Sequence, residues 1–221
     1  MSDIAPGIDL ASLRAEAAEL LAQAAPGQAL SPLARALVGY AVHVSVTTLD
    51  LAGARRQAEA ALDLGGTPAQ LHEVLMLVSG LGLHTLMEGS RDLAGLMVRR
   101  GGGPPPVDQP RRQLRDRLLG STAYWDAFER RVPGFLDALL RLSPEAFEAF
   151  IGYGAVPART CQLPAMVKEI IAVAVDALPN HRYMPGLRFH LDNAVRLGAG
   201  RAELLEAIDL AAAAPAPPGV G

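Results

Sequence analysis

Three consecutive runs decide the fold: Leu163-Pro-Ala-Met-Val-Lys-Glu169-Ile-Ile-Ala-Val-Ala-Val-Asp, then His181-Arg-Tyr183-Met-Pro185-Gly186-Leu-Arg188-Phe-His190-Leu-Asp-Asn193-Ala194, then Leu197-Gly198-Ala-Gly-Arg-Ala-Glu203-Leu-Leu-Glu206. They read as helix, loop, helix, glycine stop, helix. Shifted by 133 positions, residues 163–210 lie on residues 30–77 without a gap. Twelve of the 48 pairs are identical, among them Gly53/Gly186, Arg55/Arg188, Gly65/Gly198 and Glu73/Glu206. Alanine-rich helices inflate such a score, but alanine content does not explain matched glycines and arginines. The expectation is an all-α chain of two homologous halves.

Working outward, Asp9 caps an amphipathic helix carrying Leu10, Leu13, Ala17, Leu20 and Leu21, with Pro26-Gly27 beyond it. Ser31-Pro32 and Thr67-Pro68 each place a hydroxyl cap before a proline at the first helical position. One helix is expected from Pro68 to about Glu88. Gly101-Gly-Gly-Pro-Pro-Pro-Val-Asp108 cannot be helical. Helices are expected over Ser121 to about Leu142 and from Ser143-Pro144, with Tyr124, Trp125 and Phe128 as core. The segments are therefore an N-terminal helix (1–29), a first, degenerate repeat (30–100), a linker (101–120) and a second repeat with the site (121–221).

The chain of 221 residues is 50% apolar and 19% charged, enough to bury a core. Its formal charge is −3 and its longest basic run is a pair, which argues against nucleic acid as a partner. The N-terminus lacks a basic and an apolar leader region, and no run of 18 apolar residues occurs, so no membrane association and a cytoplasmic location are expected. Cys161 is the one cysteine, so neither an intrachain disulfide nor a thiolate zinc set can form. No phosphate-binding loop, nucleophile elbow or metallopeptidase motif is present, and neither a cofactor nor a metal is expected.

The two halves differ at polar positions. Glu169, His181, Tyr183, His190 and Asn193 stand where the first half has Ala36, Thr48, Asp50, Gln57 and Ala60. Pro185 should open a helix running to about Leu197, placing His181 and Tyr183 at an N-terminus that favours an anion, with Arg188 as a cation in the first turn. Gly186 lies one turn before His190 and should leave room for a small molecule there. Glu169 interrupts an apolar run, where burial would tune its carboxyl. For each the plain alternative is a satisfied core or surface residue. His43, His72 and His84 stand at no ligand spacing to one another, are assigned no carboxylate partner, and are expected to be structural.

On these residues the chain resembles the carboxymuconolactone decarboxylase family, which shares an all-helical fold with the alkylhydroperoxidase AhpD group. The resemblance is strong over 121–213 and weaker over 30–90. It implies that the redox branch's two cysteines fall on Tyr183 and Gly186, its histidine on His190 and its glutamate on Glu169. Without the thiols, dithiol peroxide reduction is excluded at this site. What the resemblance implies instead is a cofactor-independent lyase or isomerase acting on a small organic acid or lactone. His190, Glu169 and Tyr183 would be catalytic, and His181, Arg188, Gly186 and Asn193 would bind substrate. Helices apolar on more than one face, together with the family, imply a homo-oligomer, a trimer. The alternatives are a non-catalytic binding or assembly module on the same fold, or a thiol redox protein using Cys161.

Overall fold

The computed structural model describes residues 7–120 and 122–218. Among them are thirteen helices and no strand, as expected of an all-α chain. The chain packs as two compact units, Met1–Ser79 with Cys161–Gly221, and Gly80–Thr160. Both stretches related by the shift of 133, 30–77 and 163–210, lie in the first unit.

That unit contains α1 (Leu10–Leu20), α2 (Pro32–Val44), α3 (Leu51–Asp63), α4 (Pro68–Val78), α11 (Ala165–Asp176), α12 (Met184–Arg196) and α13 (Arg201–Ala212). The caps read from sequence are in place. The side chains of Asp9, Ser31 and Thr67 accept from the amides of Ser12, Ala34 and Gln70, and Gln70 returns the bond to the Thr67 amide at 3.0 Å. The core is built from Leu13, Val38, Ala41, Ala61, Val74, Ile171, Val173, Leu187, Leu191 and Leu204, all but out of contact with water.

Backbone detail coincides under the same shift. Adding 133 to the bounds of α3 gives those of α12. Leu49 and Arg182 both take positive φ, 45° and 47°, as do Gly65 and Gly198, 86° and 98°. The Asp50 amide donates to the His43 carbonyl and the Tyr183 amide to that of Asp176, each at 2.9 Å.

The matched glutamates explain why they match. Glu73 of α4 is 2% exposed; its Oε2 accepts the amides of Gln162 and Leu163 at the start of α11, and its Oε1 lies 2.7 Å from Lys168 Nζ. Glu206 of α13 reciprocates, its Oε2 accepting the Leu30 amide at 2.7 Å before α2 while Oε1 pairs with Arg35. Each glutamate thus satisfies amides of the segment that leads into the cap of a neighbouring helix.

The second unit contains α5 (Leu81–Arg99), α6 (Gln109–Leu119), α7 (Ala123–Arg131), α8 (Phe135–Leu142), α9 (Pro144–Gly154) and α10 (Val156–Thr160). Three expectations are corrected. The helix expected from Pro68 to Glu88 is two, because Ser79 turns its hydroxyl back on the Met76 carbonyl and Gly80 adds a weak helix former, ending α4 at Val78. The stretch expected as a linker holds α6, capped by the Asp108 side chain on the Arg111 amide. The helix expected over 121–142 breaks at Pro133-Gly134, where Gly134 has φ 79°; its expected start, Ser121, lies outside the described residues. Phe128, Phe135 and Phe150 form an edge-to-face cluster, while Tyr124, expected in the core, is 51% exposed.

Candidate functional site

Helices α11 and α12 pack against each other and bring their polar residues onto one seam. On α11, Glu169 and Asp176 are seven residues apart and so share a face; on α12, Gly186, His190 and Asn193 do the same. His190 Nδ1 lies 2.6 Å from Glu169 Oε2, and Asn193 Nδ2 donates to the same oxygen at 3.4 Å. Arg196 donates from Nη2 to Asn193 Oδ1. The imidazole and carboxylate keep 25% and 19% of their surface, so the pair is enclosed but still reached by water.

A carboxylate only accepts, so Nδ1 of His190 carries the proton it donates, and Nε2 takes no part in this bond. Burial alone would lower the His190 pKa; the Glu169 hydrogen bond and charge, with the charge of Asp176, outweigh it and raise the imidazole above its ordinary value. The protonated ring is thereby favoured more than in a free imidazole.

Sequence reasoning missed Asp176. It is 2% exposed, and burial pushes its carboxyl up to about 7, His190 pulling it down and Glu169 adding to the rise. The signal was its spacing of seven from Glu169 on an otherwise apolar helix. Gly186 is the counterpart: a Cβ there would lie 2.2 Å from Asp176 Oδ2 and 2.8 Å from Tyr183 Cδ1. The room expected beside Gly186 for a small molecule is therefore taken up by Asp176 and Tyr183.

Tyr183 is the N-cap residue of α12, and its ring centroid lies 5.8 Å from that of His181. His181 Nε2 is 3.8 Å from Asp176 Oδ1, and burial pushes this imidazole below its ordinary value. Arg188 turns away: its Nε meets Glu16 Oε1 of α1 at 2.5 Å, a bond that holds the guanidinium charged. Glu169, His190 and Asn193 are thus one hydrogen-bonded group; His181, Tyr183 and Gly186 surround the neighbouring Asp176; Arg188 is committed to α1.

In the first half, Ala36 is buried and Gln57 lies against Gly39. That half is nevertheless not bare of such pairs. His43 Nδ1 stands 3.0 Å from Asp50 Oδ2, a partner the sequence reading did not assign, while Asp50 Oδ1 caps the Gly53 amide and so holds its carboxyl below the usual range.

Fold and site define a class: an all-helical protein with a hydrogen-bonded histidine–carboxylate pair between two packed helices. The family model described as the carboxymuconolactone decarboxylase family matches residues 144–219. A crystal structure from Burkholderia xenovorans LB400, named as a "putative gamma-carboxymuconolactone decarboxylase subunit", is 31% identical, with 94% of this chain and 91% of that one covered and a TM-score of 0.71. Among curated proteins no match is found. The chain belongs to the carboxymuconolactone decarboxylase family. Among the described residues no helix is long and apolar enough to cross a membrane.

Proposed function

We propose that the protein is a cofactor-independent lyase, a decarboxylase of a small organic acid or lactone, with His190 as the acid–base group. The observation that carries this reading is the 2.6 Å contact between His190 Nδ1 and Glu169 Oε2, which leaves Nε2 for the chemistry and raises the imidazole's affinity for a proton. Family membership and the name of the Burkholderia protein support gamma-carboxymuconolactone as the first substrate to try.

In such a reaction the bond from the ring carbon to the carboxylate breaks and carbon dioxide leaves. The electron pair is taken up by the conjugated carbonyl, and Nε2–H of the His190 imidazolium then protonates carbon. The balance is one carboxylate and one proton in, one C–H bond and carbon dioxide out, and His190 recovers its proton from solvent. Tyr183 and His181 stand at the α12 N-terminus, where a hydroxyl or ring N–H can hydrogen-bond the developing enolate. Isomerisation by moving a proton between two carbons would use the same residues. The reading extends to assembly: a homo-oligomer is supported by the Burkholderia protein's being called a subunit and by the exposed Leu62, Leu64, Val195 and Leu197, and the family resemblance makes a trimer the form to test.

The test is His190→Gln, which copies Gln57 of the first half. Carbon dioxide release from gamma-carboxymuconolactone should fall on the order of 10²-fold or more, with the melting temperature near the parent's. Turnover surviving this change would end the acid–base reading.

A further inference from the structure

We propose that Arg196 and Asn193 are positioning residues that hold Glu169, and through it His190, in the one arrangement with Nε2 facing the chemistry. The proposal rests on the acid–base reading above. Its physical basis is polarity matching along a chain of four side chains. A guanidinium only donates and a carboxylate only accepts, so an amide between them has one orientation that satisfies both: Oδ1 toward Arg196 and Nδ2 toward Glu169. The two faces of an asparagine amide are nearly the same shape, so packing alone would not choose between them. Arg196 makes the choice, and is itself steered by its Nε bond to the Asp192 carbonyl at 3.3 Å. Glu169 Oε2 then receives two donors, Nδ2 of Asn193 and Nδ1–H of His190.

The spacing is built for this. His190, Asn193 and Arg196 follow each other at three-residue steps on α12, opposite Glu169 of α11. The chain of four is also present or absent as a whole. Under the shift of 133, Glu169, His190, Asn193 and Arg196 correspond to Ala36, Gln57, Ala60 and Asp63, none of which could play the same part. The residues that serve folding in both halves, Gly53/Gly186 and Glu73/Glu206, are kept.

Arg196 is exposed at the end of α12, so replacing it removes no core. The experiment compares the parent with Arg196→Met and Arg196→Lys, reading the His190 ring by nitrogen-15 NMR of histidine-labelled protein at a pH where the ring is neutral. The parent should hold the proton on Nδ1. Arg196→Met should show a mixture of tautomers and, with gamma-carboxymuconolactone, a kcat lower by about tenfold at a KM near the parent's; Arg196→Lys, which keeps a cationic donor, should restore most of both. A parent tautomer in Arg196→Met overturns the proposal whatever its activity. Loss of the acid–base reading would instead show in His190→Gln keeping full turnover, an outcome that leaves the tautomer result to stand or fall by itself.

Discussion

Asp176 and Gly186 approach so closely across the α11–α12 seam that a Cβ on Gly186 would stand 2.2 Å from Asp176 Oδ2. Gly186→Ala must therefore displace a buried carboxyl and the Tyr183 ring together. A loss of about 1–3 kcal/mol is expected, read as a lower denaturation midpoint in urea at unchanged slope. A midpoint equal to the parent's would show that the seam has slack.

Asp176 also sets a pH dependence. Its folded carboxyl is pushed up to about 7 against an ordinary value of 3.8. The folded state therefore holds a proton between those limits that the unfolded chain has released, and stability falls as pH rises from about 4 to about 7, by at most about 4 kcal/mol. The raised His190 acts in the same direction: its contribution is complete below the unfolded value and is lost as pH rises through the folded one. Asp176→Asn should flatten the fall over that window, and urea titrations at pH 5 and pH 8 measure it. Parallel curves for the two proteins would deny Asp176 the shift.

Glu169→Gln keeps the shape of the side chain and removes its charge. The hydrogen bond and charge that raise His190 weaken, burial then dominates, and the imidazole should lose its proton at a lower pH. The descending limb of the pH–rate profile should move toward acid, with kcat lowered at pH 8 more than at pH 6. A limb that stays in place would mean that Glu169 does not tune His190.

The two glutamate clasps should differ in strength. The Glu73 side chain is 1% exposed and that of its partner Lys168 13%, whereas the side chain of Arg35, the partner of Glu206, is 53% exposed. Glu73→Ala takes a carboxylate away from the largely enclosed Lys168 and from two amides and should cost about 1–3 kcal/mol. Glu206→Ala should cost less, since water already reaches Arg35. Chemical denaturation of both variants decides the order, and the reverse order would sink the argument from burial.

The proposed trimer has a mass of about 70 kDa, three times 23.2 kDa. Light scattering at micromolar concentration should return it. A 23 kDa species would defeat the assembly.

Much of the fold was legible because helix starts are written locally. Asp9, Ser31, Thr67 and Ser143 each satisfy an amide three residues on, an interaction the sequence displays directly, whereas the same cap at Asp108 was hidden behind the glycine–proline run before it. The pairing of Glu169 with His190 was legible for a related reason, since 21 residues spanning one helix–loop–helix bring them opposite each other. The break at Ser79-Gly80 was not, because a serine–glycine pair also occurs inside helices and packing decides whether the helix continues.

The sequence by itself determined the all-α class, the capped starts of several helices and the unequal polar equipment of two otherwise parallel stretches, all consequences of periodicity and capping within a few residues. Only the tertiary structure decided which partner each charged side chain takes. Arg188, well placed by sequence to bind a substrate, is claimed by Glu16 from 172 residues away, and Glu73 reaches 90 residues to the start of α11. Asp176 shows the same divide: its position on the helix is local, but its raised carboxyl follows from burial among neighbours that the fold alone assembles. The physical reason is that backbone hydrogen bonding is settled within one turn, whereas desolvation and charge pairing depend on what the rest of the chain packs against each group.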